Sequence, residues 1–467
     1  MAAADQSVGS AELAGAQVLV AGAGVTGESA ARALLGLGAW VTVTGTDPGQ
    51  LAEVARAVPG VRTAVDLAAP PEGTTLVVTS PGIRPTNPLL VESAARGIEV
   101  IGEVELAWRM CAGMADPPAW LAITGTNGKT TTVGMLAEML TAAGLDAIAC
   151  GNVGLPVVDA VTAGHRVLAV ELSSFQLYWA PSVRPTAGVL LNLAEDHLDW
   201  HGTMAAYVEA KARVLTGAVA VAGVDDDLVA GLLTAAPAEV KVGITMGPPK
   251  PGRLGLDEGH LVDRAFAEHE VLAAVDEVRP PGPSALFDAL AASALARAYG
   301  LSAEAVAAGL RAFRPGAHRA VPVAEIDGVV YVDDSKASNP HAAAASIRAH
   351  ERVVWIAGGL LKGASVDDLV QETRHRLAGA VLLGADREVI GTALRRHAPD
   401  VPVYSVSSGD DDPMTVMSQV VRAARELARP GDAVVLAPAG ASWDMFTDYG
   451  QRGDMFAAAV AALRDGM

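Results

Sequence analysis

At 467 residues the chain exceeds what a single hydrophobic core ordinarily supports, and three domains are expected. A formal net charge of −19 excludes a sequence-independent grip on nucleic acid or on an anionic membrane surface, because both need a positive field. Half of the residues are apolar but only 4% are aromatic, a balance that favours helices packed closely on sheets, so an α/β fold is expected. Cys111 and Cys150 have no zinc or disulfide spacing. The start, Met1 to Ala16, carries Asp5 and Glu12 where a signal peptide would be basic and then apolar, and no stretch is long and apolar enough to span a bilayer; a cytoplasmic protein is expected.

In chain order, Gln17 to Val20 reads as a strand, followed by the turn Gly22-Ala23-Gly24-Val25-Thr26-Gly27 and an Ala/Leu-rich helix. Trp40 to Val43 and Thr75 to Thr79 are further strands, the latter ending at Ser80-Pro81-Gly82, and this first block is Rossmann-like. After a linker at Asp116-Pro117-Pro118, the strand Trp120 to Ile123 leads into a helix marked by Val133, Leu136 and Leu140, with Gly144 as its stop. Gly247 to Gly252 and Arg279 to Pro283 read as loops. From Pro315-Gly316 onward, Val321 to Ile326 and Val329 to Val332 form a hairpin about Asp327-Gly328, and strands follow at Val353 to Ile356, Ala380 to Leu383, Val401 to Val406 and Ala433 to Leu436.

The glycine turn at Gly22, Gly24 and Gly27 lets helix N-terminal amides approach a diphosphate, with Asp47 about twenty residues on as a candidate ribose acid. That pattern suits NAD or another nucleotide diphosphate equally. Gly125-Thr126-Asn127-Gly128-Lys129-Thr130-Thr131 follows a strand and opens a helix: its amides can cradle phosphates, Lys129 can neutralise them and Thr130 can ligate Mg²⁺. Glu171 ends an apolar strand and is either a magnesium ligand or a solvated strand end. Glu195, Asp196, His197 and Asp199 cluster in a polar segment. The chain has only six lysines (Lys129, Lys211, Lys241, Lys250, Lys336 and Lys362), and Lys211, in a helical run, reads on its own as a solvated surface charge.

In this order the motifs resemble the Mur ligases over nearly the whole chain, from about Val18 to Phe456. The pieces that carry the resemblance are the Gly125 to Thr130 loop, Glu171 to Leu177, Glu195-Asp196-His197, Asp334-Ser335-Lys336-Ala337 and Gln451-Arg452-Gly453; the Glu-Leu-Ser-Ser-Phe-Gln-Leu string is similar to that of members that add D-glutamate. The resemblance implies three α/β domains. They are an N-terminal Rossmann-like one for a UDP substrate (1–112), a central P-loop ATPase with a parallel or mixed sheet (113–316) and a C-terminal Rossmann-like one for the amino acid (317–467), which closes over the site. The implied reaction joins D-glutamate to UDP-N-acetylmuramoyl-L-alanine through an acyl phosphate, with ATP as co-substrate, two Mg²⁺ ions and a monomeric, cytoplasmic enzyme that neither binds nucleic acid nor inserts into membrane.

The same resemblance implies residue roles. Lys129, His197, Lys211 and Arg319 would be catalytic, and Gly125 to Thr131 with Arg319 and Asp334 would bind ATP. Val25, Thr26, Ser80, Gly82, Asn152, Ser173 and Lys336 would bind the UDP substrate. Lys336, Ser338, Lys362, Ser442, Trp443 and Tyr449 would surround D-glutamate. Thr130, Glu171, His197 and a carbamylated Lys211 would hold metal. Two departures stand out: Thr44-Gly45-Thr46-Asp47 displaces an acid expected at the end of the second strand, and Ser284-Ala285-Leu286-Phe287-Asp288 replaces the family's His-Asn-x-x-Asn stretch that meets adenine. The rivals are an NAD-dependent oxidoreductase, which leaves the Gly125 loop unexplained, and a catalytically weakened regulator that binds a nucleotide sugar.

Overall fold

The computed structural model describes residues 13–407 and 412–465. The segment bearing Asp5 and Glu12 lies outside the described residues.

The chain is α/β, built on three sheets. The first has five parallel strands in the order Arg62–Val65, Trp40–Gly45, Gln17–Ala21, Leu76–Thr79 and Glu99–Gly102. Gln17–Ala21 pairs on one side with the next strand in the chain and on the other with Leu76–Thr79, so the order reverses at its carboxyl end, where open α/β sheets bind ligands. Gly22 stands at that point with φ +110°, and a Cβ there would lie 2.1 Å from Ser80 Oγ. Only glycine fits this approach.

The second sheet has nine strands. Its parallel centre runs from Ala147–Gly151 through Val167–Glu171, Ala119–Thr124, Ala187–Leu190 and Val219–Gly223 to Val240–Ile244. Arg253–Asp257, His260–Asp263 and Glu270–Ala274 complete it, the last two pairings antiparallel. Ala119–Thr124 is nearly all apolar and buried, as a central strand covered on both faces must be. It leads directly into the helix Lys129–Ala142, beyond which Gly144 takes the left-handed conformation (φ +72°) of a helix stop. Pro283, read from sequence as loop, instead begins the helix Pro283–Ala298, a position where its missing N–H leaves nothing unpaired.

The third sheet runs Val321–Ile326, Val329–Asp333, Ala433–Ala439, Val353–Gly358, Leu377–Leu383 and Val403–Ser405. The first two strands form the expected hairpin, with Asp327 and Gly328 at φ +50° and +74°. By contacts the chain forms two compact units: one takes the chain to Glu277 and adds Phe287–Phe313, and the other takes Val278–Leu286 and everything from Arg314. The first two sheets thus share a unit. No helix among the described residues is long and apolar enough to cross a membrane.

Candidate active site

In the first unit, the turn after Ala119–Thr124 is shaped by backbone and neighbouring side chains together. Gly128 caps the following helix at φ +87° with no side-chain cap of its own, so the turn sits at a helix N-terminus, the end of a helix that favours anions. Asn192 clamps the turn: its Oδ1 accepts from Asn127 N (2.9 Å) and its Nδ2 donates to Asn127 O (3.2 Å). Thr126 Oγ1 meets the Tyr207 hydroxyl at 2.8 Å and accepts from Ala194 N at 2.9 Å. Lys129 folds back, its Nζ donating to the carbonyls of Gly125 and Thr126 at 3.0 Å each. Sequence reasoning assigned no role to Asn192 or Tyr207. Tyr207 lies four residues before Lys211 on one helix face, and that spacing was the available signal.

Lys211 is the clearest departure from what its surroundings in sequence suggest. It is 1% exposed, and its Nζ donates to Gly125 O at 2.7 Å and weakly to Thr124 Oγ1 at 3.4 Å. Burial, with help from the nearby Lys129 charge, holds its pKa well below that of an ordinary lysine, against the pull of Asp196 and Glu171. The solvated-surface reading is therefore wrong. Helical periodicity alone does not show that this face packs under the phosphate loop.

Glu171 is likewise buried, not a solvated strand end, and it pairs in register with Ile123 at the root of the loop. Its Oε1 accepts from Asn152 Nδ2 at 2.9 Å, while its Oε2 is buried without a hydrogen-bond partner. Such an orphaned carboxylate oxygen is costly unless something occupies it. His197 adopts φ +54°, its backbone N donates to Asp196 Oδ1 (2.8 Å), and its ring meets the Phe175 edge at 4.7 Å. Thr130 lies in the first turn of the helix Lys129–Ala142.

Several elements tie the first sheet to this loop. Trp200 Nε1 donates to Gly82 O (3.1 Å), and Arg84 pairs with Asp199 (2.9 Å), so the Ser80 to Gly82 turn is held against the segment that carries His197. His201, pushed down to about 4 chiefly by burial, is a neutral ring stacked on Phe175, with Nε2 2.9 Å from Ser174 Oγ. Ser173 caps the helix Ser174–Tyr178 in a capping box with Gln176, so its hydroxyl already has a structural partner. Val25 is exposed at the opening of the helix Val25–Gly36 and Thr26 follows it. Asp47 is not a free acid: its carboxylate accepts from Gly49 N (2.7 Å) and caps the helix Pro48–Ala57. Asp288 is buried with Oδ1 against Gly128, where a Cβ would come within 2.2 Å of it. This carboxylate therefore packs on the phosphate loop itself.

In the second unit, His318 Nδ1 meets Asp333 Oδ2 at 2.6 Å, and Arg319 follows it in sequence. Burial pushes Asp334 up to about 6, although Ala320 N donates to it at 3.1 Å. Lys336 Nζ stands 3.8 Å from the centre of the Tyr449 ring, and Lys362 Nζ 4.6 Å from that of Trp443. Ser338 precedes the helix cap Asn339, and Ser442 is buried beside Trp443. Arg452, quoted from sequence only as part of a motif, is fully buried and binds Ser335 Oγ (2.9 Å), Ser335 O (2.8 Å) and Gly440 O (3.0 Å), joining the two loops after their strands.

Comparison with known proteins agrees with this geometry. Residues 16–102 match the model of the Mur ligase MurD-like N-terminal domain, 123–251 the Mur ligase middle domain, and 318–440 the Mur ligase glutamate ligase domain. A relative from Rhodococcus jostii named "UDP-N-acetylmuramoylalanine--D-glutamate ligase" is 55% identical, with 97% of this chain and 96% of that one covered. One of the same name from Mycobacterium tuberculosis is 52% identical over 96% of each. Among solved structures, a pseudomurein peptide ligase type C from Methanothermus fervidus is 16% identical with a TM-score of 0.58, covering 96% of this chain and 100% of that one, and shares the fold. The chain belongs to the Mur ligase family.

Proposed function

We propose that this protein joins D-glutamate to UDP-N-acetylmuramoyl-L-alanine with hydrolysis of ATP to ADP and phosphate, a step in peptidoglycan precursor synthesis in the cytoplasm. The full-length similarity, at 55% identity, to a relative of that name carries the reading. The phosphate loop, with two lysines converging on Gly125 O, supports ATP as the activating substrate.

An amide cannot form from a carboxylate and an amine without activation. The terminal carboxylate of the L-alanyl substrate attacks the γ-phosphorus of ATP, ADP leaves, and an acyl phosphate remains. The amine of D-glutamate then attacks the acyl carbon, and phosphate and a proton depart. Lys129 and the Gly125 to Thr131 loop are assigned to the phosphates, with Arg319 and Asp334 assigned to ATP from the second unit; this is positioning and charge neutralisation, with no covalent step on the protein. Val25, Thr26, Ser80, Gly82, Asn152 and Ser173 are assigned to the UDP substrate, with Lys336 serving both it and D-glutamate. Ser338, Lys362 and Ser442 are assigned to D-glutamate. Residues 1–112, 113–316 and 317–467 are the proposed domains.

The donors present fit Mg²⁺. The orphaned Glu171 Oε2 is a hard oxygen of the kind Mg²⁺ takes, and the Thr130 hydroxyl would be the other protein ligand of that ion. His197 and Lys211 are assigned to a second one. Burial favours the neutral form of the Lys211 amine, and that form would add CO₂ with release of a proton, which replaces a cation with a carboxylate-like ligand. Bound magnesium supplies neutralisation of charge on the transferring phosphoryl group.

Phosphate release in the presence of ATP, Mg²⁺ and UDP-N-acetylmuramoyl-L-alanine, with the amino acid varied, tests the assignment. Turnover is expected with D-glutamate; turnover with L-lysine or meso-diaminopimelate in its place would refute it.

A further inference from the structure

Lys362 of the second unit lies under the Trp443 ring, and the two loops that carry the pair are fixed against each other. Lys362 adopts φ +54°, a conformation that costs a side-chain-bearing residue energy and persists only where its surroundings impose it. The surroundings are explicit: Leu360 and Ala441 exchange backbone hydrogen bonds at 2.9 and 2.8 Å, two residues before Lys362 and Trp443 respectively. A Cβ on Gly359 would meet Ala441 O at 2.2 Å, so the close approach of the two loops requires glycine there. Asp386 Oδ2 accepts from Leu361 N at 2.7 Å and pins the same turn. Trp443 is 66% exposed, so its ring stands over Lys362 at the surface and not within a core. The neighbouring Asp444 is engaged by Ala385 N (2.8 Å).

We propose that Trp443 is a positioning residue that holds the Lys362 ammonium under its ring as a placed cation for a carboxylate of D-glutamate. The inference rests on the assignment of this lysine to D-glutamate. A carboxylate partner would place an ammonium equally well but would cancel its charge and compete with the incoming dicarboxylate. A ring attracts the ammonium through its quadrupole, leaves the positive charge intact and withdraws no hydrogen-bond donor from the substrate.

The test is a cycle of Trp443→Leu, Trp443→Phe, Lys362→Ala and the double variant Lys362→Ala/Trp443→Leu, with KM for D-glutamate, KM for ATP and kcat measured for each. Trp443→Leu is expected to raise the D-glutamate KM by about fivefold, in keeping with an exposed cation–π contact, with kcat and the ATP KM little changed. Trp443→Phe, which keeps a ring, should retain most of the wild-type value. Added to Lys362→Ala, the leucine change should cost nothing further. An unchanged D-glutamate KM in Lys362→Ala would defeat the assignment of that lysine to the substrate. A raised KM in Lys362→Ala combined with no effect of Trp443→Leu, or with an equal effect of Trp443→Leu in both backgrounds, would overturn the positioning role.

Discussion

Lys211 and Lys362 are the same side chain in opposite settings. Lys211 is sealed under the phosphate loop, sharing the Gly125 carbonyl with Lys129, and burial drives it toward the neutral amine. Lys362 stands beneath an exposed indole at the tip of a strained turn. The difference shows how surroundings select a lysine's chemistry: desolvation yields a group that can take up CO₂, whereas a ring at the surface keeps a placed cation. Lys129 falls between the two, neither sealed in like Lys211 nor set under a ring, its ammonium tied to two carbonyls of its own loop.

Four changes sharpen or break this comparison, beginning with the largest effect. Lys129→Ala is expected to abolish nearly all turnover, because the transferring phosphoryl group loses its principal cation; a wild-type rate of phosphate release would remove the loop from the mechanism. Lys211→Ala should also lose activity, but added short carboxylates should restore part of it by taking the vacated oxygen position. Rescue by an ammonium and not by a carboxylate would make Lys211 a plain cation and erase its contrast with Lys362.

The depressed pKa of Lys211 also has a stability consequence with a definite sign. Between its folded-state value and the unfolded value of about 10.4, the unfolded chain binds the proton that the folded chain does not, so stability falls as pH drops through that window. In bicarbonate-free buffer, Lys211→Met should therefore melt at a higher temperature than the wild type near neutral pH, with the gain shrinking toward pH ~10. A gain independent of pH would mean that packing, not the proton, is responsible.

The smallest expected effect is at Asp288. Its carboxyl group lies against Gly128, in the turn proposed to hold the phosphates of ATP. Asp288→Asn should lower the KM for ATP, by on the order of 1 kcal/mol at most, the net worth of one hydrogen bond. If KM for ATP and GTP are both unchanged, this residue takes no part in nucleotide binding.

Much of the scaffold was legible from residues alone. The glycine turn at Gly22, the phosphate loop at Gly125 and the Asp327-Gly328 hairpin appear where the sequence places them. Each depends on φ and ψ preferences within a few residues, so local sequence suffices. Glu171 was legible as a strand end but not as a buried one, because burial there depends on Asn152 and on strands far along the chain. Asp47 suggested a ribose contact, yet a capping bond two residues away claims its carboxylate.

Alternating apolar runs, glycine spacing and the few lysines thus determined the α/β class, the order of the ligand-binding turns and the phosphate loop, since these follow from backbone sterics and hydrophobic patterning. Only the tertiary structure decided that Lys211 is buried, that Asp288 packs on Gly128, that Trp200 reaches Gly82, and that Trp443 covers Lys362. All four are contacts between residues distant in sequence, and their energies come from desolvation and shape, which no local pattern encodes.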